Sequence, residues 1–91
     1  MAVRREATAK IINKKGLHAR ASAKLVEAAA RFTSHISVAK DDQVVDARSI
    51  MGLMMLAAGL GSEITVVAEG EDADEAMTAI LALIDAKFGE D

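Results

Sequence analysis

The stretch Arg5-Glu6-Ala7-Thr8-Ala9-Lys10-Ile11-Ile12-Asn13-Lys14-Lys15-Gly16-Leu17-His18-Ala19-Arg20-Ala21 changes its hydrophobic period part-way along. From Arg5 to Ile12, polar Glu6, Thr8 and Lys10 alternate with apolar Ala7, Ala9 and Ile11, the two-residue period of a strand with one face buried. Asn13-Lys14-Lys15-Gly16 breaks the alternation as a loop. From Ala19 the period is helical. Ala21, Leu25, Ala28 or Ala29, and Phe32 fall on one stripe, with Arg20, Lys24, Glu27 and Arg31 opposite.

Strand signals return downstream. Ile36 and Val38 point one way and His35 and Ser37 the other, Lys40-Asp41-Asp42-Gln43 reads as a turn, and Val44-Val45 continues as the partner strand of a hairpin. Ser49 to Leu56 is a short apolar helix capped by Ser49, with Gly59 and Gly61 marking its end. Ile64, Val66 and Ala68 alternate with Thr65, Val67 and Glu69 in a fourth strand that Gly70 ends. Asp72-Ala73-Asp74-Glu75 has the spacing of a capping box. Ala73, Ala76, Met77, Ile80, Leu81, Ile84 and Phe88 then share one face of a terminal helix, with acids in its first turn and Lys87 near its end, as the macrodipole favours. The order β-α-β-β-α-β-α predicts an α+β open-faced sandwich. Its four-stranded, mostly antiparallel sheet carries three helices on one face.

The 91 residues suit one domain, 1–91, which at this size buries about 60–65% of its unfolded surface and is modestly stable. Phe32 and Phe88 are the only aromatic residues, so the core must close through alanines, with Leu, Ile, Val and Met filling the rest. A net charge of −3 argues against a general nucleic-acid binder, which needs clustered Lys and Arg. Without cysteine there is no disulfide, thiolate metal site or Cys nucleophile. Met1-Ala2-Val3-Arg4-Arg5-Glu6 lacks the apolar run of a signal peptide, and no stretch approaches the ~20 apolar residues of a membrane span. The expectation is a cytoplasmic domain with no membrane partner.

Two segments carry chemistry. In Gly16-Leu17-His18-Ala19-Arg20 the histidine falls where loop becomes helix, and the free N–H groups of the first turn favour an anion. An uncharged imidazole there is a nucleophile toward phosphorus, and Arg20 supplies a forked, permanently charged donor for phosphoryl oxygens. Gly16 gives the loop freedom to leave the ring open to a partner. Taken alone, the common pattern His-x-Arg is better read as an exposed cap and a solvated helix charge. The second segment, Arg48-Ser49-Ile50-Met51-Gly52-Leu53-Met54-Met55-Leu56, is too apolar for a surface helix unless half of it meets the core and half a partner. Flexible methionines suit adaptable contacts. Ser49, at the cap, sits where an added phosphate is stabilised. His35 reads as a solvated strand residue, and Asp41-Asp42 and Asp72-Asp74 as turn and cap chemistry; no metal or cofactor site is expected.

Together the two segments resemble the HPr family of the bacterial phosphotransferase system. The family's Gly-Leu-His-Ala-Arg is present as Gly16 to Arg20, and its Lys-Ser-Ile-Met-Gly-Leu-Met is matched by Arg48 to Met54. Spacing, length and terminal helix match over essentially the whole chain. The resemblance implies a stoichiometric carrier, not an autonomous enzyme. His18 would accept a phosphoryl group from enzyme I, which draws it from phosphoenolpyruvate, and would pass it to a II-A domain. Arg20 would stabilise that group, and Ala19, Ile50, Met51 and Met54 would meet the partners of a monomeric carrier. Ser49 would be the target of an HPr kinase/phosphorylase. The chain departs at Ala21, where most members have proline after the arginine. Proline does no phosphoryl chemistry there, and alanine keeps the helix. That departure and the tail Ala86-Lys87-Phe88-Gly89-Glu90-Asp91 resemble the nitrogen-related (NPr) branch, which serves regulation rather than sugar uptake.

Two other functions compete. A regulatory binding module would signal through Ser49 phosphorylation, with His18 secondary. A ferredoxin-like domain sensing a small ligand would share the split β-α-β order but leave both motifs unexplained.

Overall fold

The computed structural model describes residues 3–90. Met1, Ala2 and Asp91, from the terminal stretches read above, lie outside the described residues. The elements follow in the expected order: β1 (Val3–Lys10), α1 (Ala19–Ala30), β2 (His35–Lys40), β3 (Gln43–Asp46), α2 (Ile50–Met55), β4 (Glu63–Gly70) and α3 (Ala73–Asp85), then a short 3-10 turn (Lys87–Gly89). The strands form one sheet in the order β1-β4-β2-β3, and every pairing is antiparallel. This is the expected α+β sandwich, with its sheet antiparallel throughout rather than mostly so.

Register explains which side of the sheet is covered. Ala7 stands opposite Val66 and Ala9 opposite Ile64, while Val38 faces Val66 on one flank and Val45 on the other. With a period of two, these residues share one face. The helices close over it: Ala21, Leu25 and Ala29 from α1, Leu53 from α2, and Ala76, Ile80 and Ile84 from α3 are buried in the same cluster as Ile36, Val38, Ile64, Val66 and Ala68. The opposite face pairs Thr8 with Thr65 and His35 with Glu69. His35 is exposed there, as the strand pattern implied.

Three local readings need correction. β1 starts and stops two residues before the alternation does. Ile11 is still fully buried, but it bonds outside the ladder, donating to the Ser62 carbonyl at 2.8 Å and accepting from Gly61 N–H at 2.8 Å.

The capping box does not form. Asp72 is the N-cap of α3 but makes no side-chain bond to its own helix. Its carboxylate instead accepts the Thr33 and Ser34 N–H groups, both at 2.9 Å, and the Ser34 hydroxyl at 2.5 Å. Three converging donors from the α1–β2 connection outcompete the orphan amides of α3. They also hold the Asp72 carboxyl at about 2, the Ser34 hydroxyl contributing most and the Thr33 N–H next.

Lys87 does not lie in the last turn of α3, which ends at Asp85. Lys87, Phe88 and Gly89 all adopt positive φ, at 57°, 56° and 76°. That left-handed turn, not continuation of the helix, carries the fully buried Phe88 under the core.

Candidate functional site: the cleft around His18

The Asn13–Gly16 loop is shaped by one glycine. Gly16 has φ +63°, and a Cβ there would overlap the Ala58 carbonyl oxygen and lie 2.7 Å from Gly59 Cα. The next residue seals this approach, Leu17 N–H donating to the Ala58 carbonyl at 2.9 Å. The histidine loop is therefore moored by backbone to the segment that follows α2. This brings together the ends of two sequence segments that were read separately.

His18 is the N-cap of α1, with extended backbone and no side-chain capping bond. Its carbonyl accepts from Ser22 N–H at 2.9 Å, the first bond of the helix. The amides of Ala19, Arg20 and Ala21 precede that bond and have no acceptor within the helix. Ala21, where the family usually has proline, is fully buried. Ala19 and Arg20 are exposed. Among the described residues, Arg20 makes no side-chain hydrogen bond or ion pair, so it lines the same cleft as His18 with its donors uncommitted.

The ring is not as open as Gly16 suggested. Nδ1 lies 3.2 Å from the Gly16 carbonyl oxygen, and Nε2 lies 3.0 Å from Glu90 Oε2. The His18 side chain is 28% exposed and that of Glu90 17%. Asn13, fully buried, donates through Nδ2 to the Gly16 carbonyl at 2.9 Å and to Glu90 Oε1 at 3.3 Å. Lys14, Lys15, His18, Ala19, Arg20, Gly89 and Glu90 line an open cleft of about 820 Å³. Lysines, an arginine and helix amides facing a histidine suit an anionic ligand.

Sequence reasoning missed Glu90, Asn13 and Lys24. Lys24 donates to the Phe88 carbonyl at 2.6 Å, holding the turn that delivers Glu90. Asn13 carried a faint signal as a polar residue ending a strand beside a glycine loop. Glu90 carried none.

The second segment stands as expected in its local geometry. Ser49 caps α2, its Oγ accepting Gly52 N–H at 3.0 Å. Leu53 and Leu56 are buried, while Ile50, Met51, Met54 and Met55 are 40%, 71%, 41% and 69% exposed. Arg48 donates to the Phe32 carbonyl at 2.7 Å, tying the start of α2 to the end of α1.

A sequence profile described as the PTS HPr component phosphorylation site matches residues 5–86. The chain belongs to the HPr family. It is 58% identical to the phosphocarrier protein HPr of Cupriavidus necator, over 88% of this chain and 90% of that one. It is 48% identical to the phosphocarrier protein NPr of Shewanella violacea, over 88% of each. The crystal structure of an HPr from Thermoanaerobacter tengcongensis superposes with a TM-score of 0.92 at 47% identity, covering 96% of this chain and 98% of that one. The family is one of phosphocarrier proteins of the phosphotransferase system. No helix among the described residues is long and apolar enough to cross a membrane.

Proposed function

We propose that this HPr-family chain, one domain over 1–91, is a monomeric cytoplasmic carrier that accepts a phosphoryl group on His18 from phospho-enzyme I and passes it to a II-A domain. The observation that carries the reading is His18 at the N-cap of α1, its ring in an open cleft beside the uncommitted Arg20. In this reading the ring is the nucleophile, the first-turn amides face the phosphoryl oxygens, and Arg20 binds them as a fork. Ala19, Ile50, Met51 and Met54 form the surface that partners meet. With enzyme I and phosphoenolpyruvate, the wild-type chain should gain one acid-labile phosphate by intact mass and His18→Ala none. A His18→Ala variant labelled at the normal rate would sink the proposal.

A second role is favoured by Ser49, which caps a short helix flanked by exposed Ile50 and Met51. Phosphorylation there by an HPr kinase/phosphorylase adds about −1.5 to −2 charge beside the docking surface. Incubation with that kinase and ATP should leave an acid-stable phosphate on wild type and none on Ser49→Ala. Of the two branches, Ala21 and the C-terminal tail favour the nitrogen-related one, whereas the higher identity lies with an HPr. We assign the regulatory branch. Faster transfer to a nitrogen-related II-A domain than to a sugar-specific one is the expected result, and the reverse preference would overturn the assignment.

A further inference from the structure

We infer that Glu90 is the positioning residue of His18, selecting which ring nitrogen stays free for phosphorus; the inference rests on the phosphocarrier reading above. Both ring nitrogens face acceptors: Nε2 faces the Glu90 carboxylate at 3.0 Å and Nδ1 the Gly16 carbonyl at 3.2 Å. A neutral imidazole has one N–H and can satisfy only one of them. The two acceptors are unequal. The Gly16 carbonyl already receives the Asn13 amide at 2.9 Å, whereas the carboxylate bears charge and makes the stronger bond. The single proton therefore resides on Nε2, leaving the lone pair on Nδ1, which attacks phosphorus once the ring tilts that atom clear of the Gly16 carbonyl oxygen. Asn13 also donates to Glu90 Oε1, fixing the carboxylate as it fixes the loop, in the manner of a group that orients a histidine through its other nitrogen.

The same geometry has an electrostatic part. In transfer, the Nδ1 lone pair forms the N–P bond while the donor's bond to phosphorus breaks, its electron pair staying on the donor atom. The Nε2 proton remains, so the ring becomes cationic and faces the carboxylate. Onward transfer breaks the N–P bond, and its electron pair returns to Nδ1. Glu90 thus stabilises the cation that phosphorylation creates, and onward transfer discharges it. The chain invests in placing it: the left-handed residues Lys87, Phe88 and Gly89 lead into Glu90, with the Phe88 ring buried and its carbonyl bound by Lys24. Non-glycine residues at positive φ persist where surroundings over-determine them, often at functional sites.

The test compares wild type with the nearly isosteric Glu90→Gln. Nitrogen-15 NMR of the imidazole in the free, neutral protein should show the Nε2–H tautomer in wild type and a mixture of both tautomers in the variant. Phosphorylation by enzyme I and phosphoenolpyruvate should slow about tenfold in the variant, the scale of one charge-assisted bond. An unchanged tautomer, or an unchanged rate, overturns the role of Glu90. Absence of phosphate on wild-type His18 would instead remove the phosphocarrier reading, a result the tautomer measurement does not depend on.

Discussion

At the scale of single residues, Gly16 leaves less room for a side chain than any other glycine. Its φ of +63° suits glycine, and the space a Cβ needs is filled by Ala58 and Gly59 backbone. Gly16→Ala should cost about 2 kcal/mol in urea unfolding, above the usual penalty for a side chain at positive φ because backbone must also move. Asp72 makes a different prediction. Its carboxyl is held at about 2, below the ordinary 3.8, so it favours folding in its ionised form. That stabilisation is complete above the ordinary value and is lost as pH falls from there through about 2. Unfolding midpoints measured across the acid range should show this limb in wild type and a flatter one in Asp72→Asn.

At the scale of elements, two pieces of chain present functional side chains and are built oppositely. α2 buries Leu53 and leaves Met51 at 71% exposure. Met51→Asp should leave stability within about 0.5 kcal/mol of wild type while weakening association with enzyme I, measured by calorimetry. The turn after α3 depends on one aromatic ring instead. Phe88→Ala should cost about 4 kcal/mol, as truncation of a fully buried aromatic does, and should release Glu90 so that His18 shows mixed tautomers. The contrast also explains what was readable in advance. α1, α2 and α3 declare themselves through local hydrophobic period and Ser49 through local capping chemistry. The Phe88 turn has no such mark, because Lys87 and Phe88 take positive φ without being glycine. Its conformation comes from tertiary burial. Asp72 misled for a related reason: an acid before a helix reads as its cap, and only the folded α1–β2 connection supplies the stronger donors.

Over the whole molecule, sequence alone yields the order of elements and the His18–Arg20 pair, since both lie within short stretches. What escapes it is convergence: Glu90 reaches both His18 and Asn13 from far along the chain, and the Gly16 loop meets Ala58 across the fold. The sheet order has a dynamic corollary. β4 is paired on both sides, whereas β1 and β3 each have one neighbour. Amide exchange should be slowest in β4, where opening approaches global unfolding, and faster along the two edges. That central place for β4 also bears on how the protein is made. β1 and β2 do not pair with each other; each pairs with β4, which is translated after all the other strands. While it is still inside the ribosome, the emerging polypeptide has only the β2–β3 hairpin and local helix to form. Assembly of the sheet waits on β4, so the fold cannot complete before that strand emerges, and Glu90 joins the cleft around His18 later still.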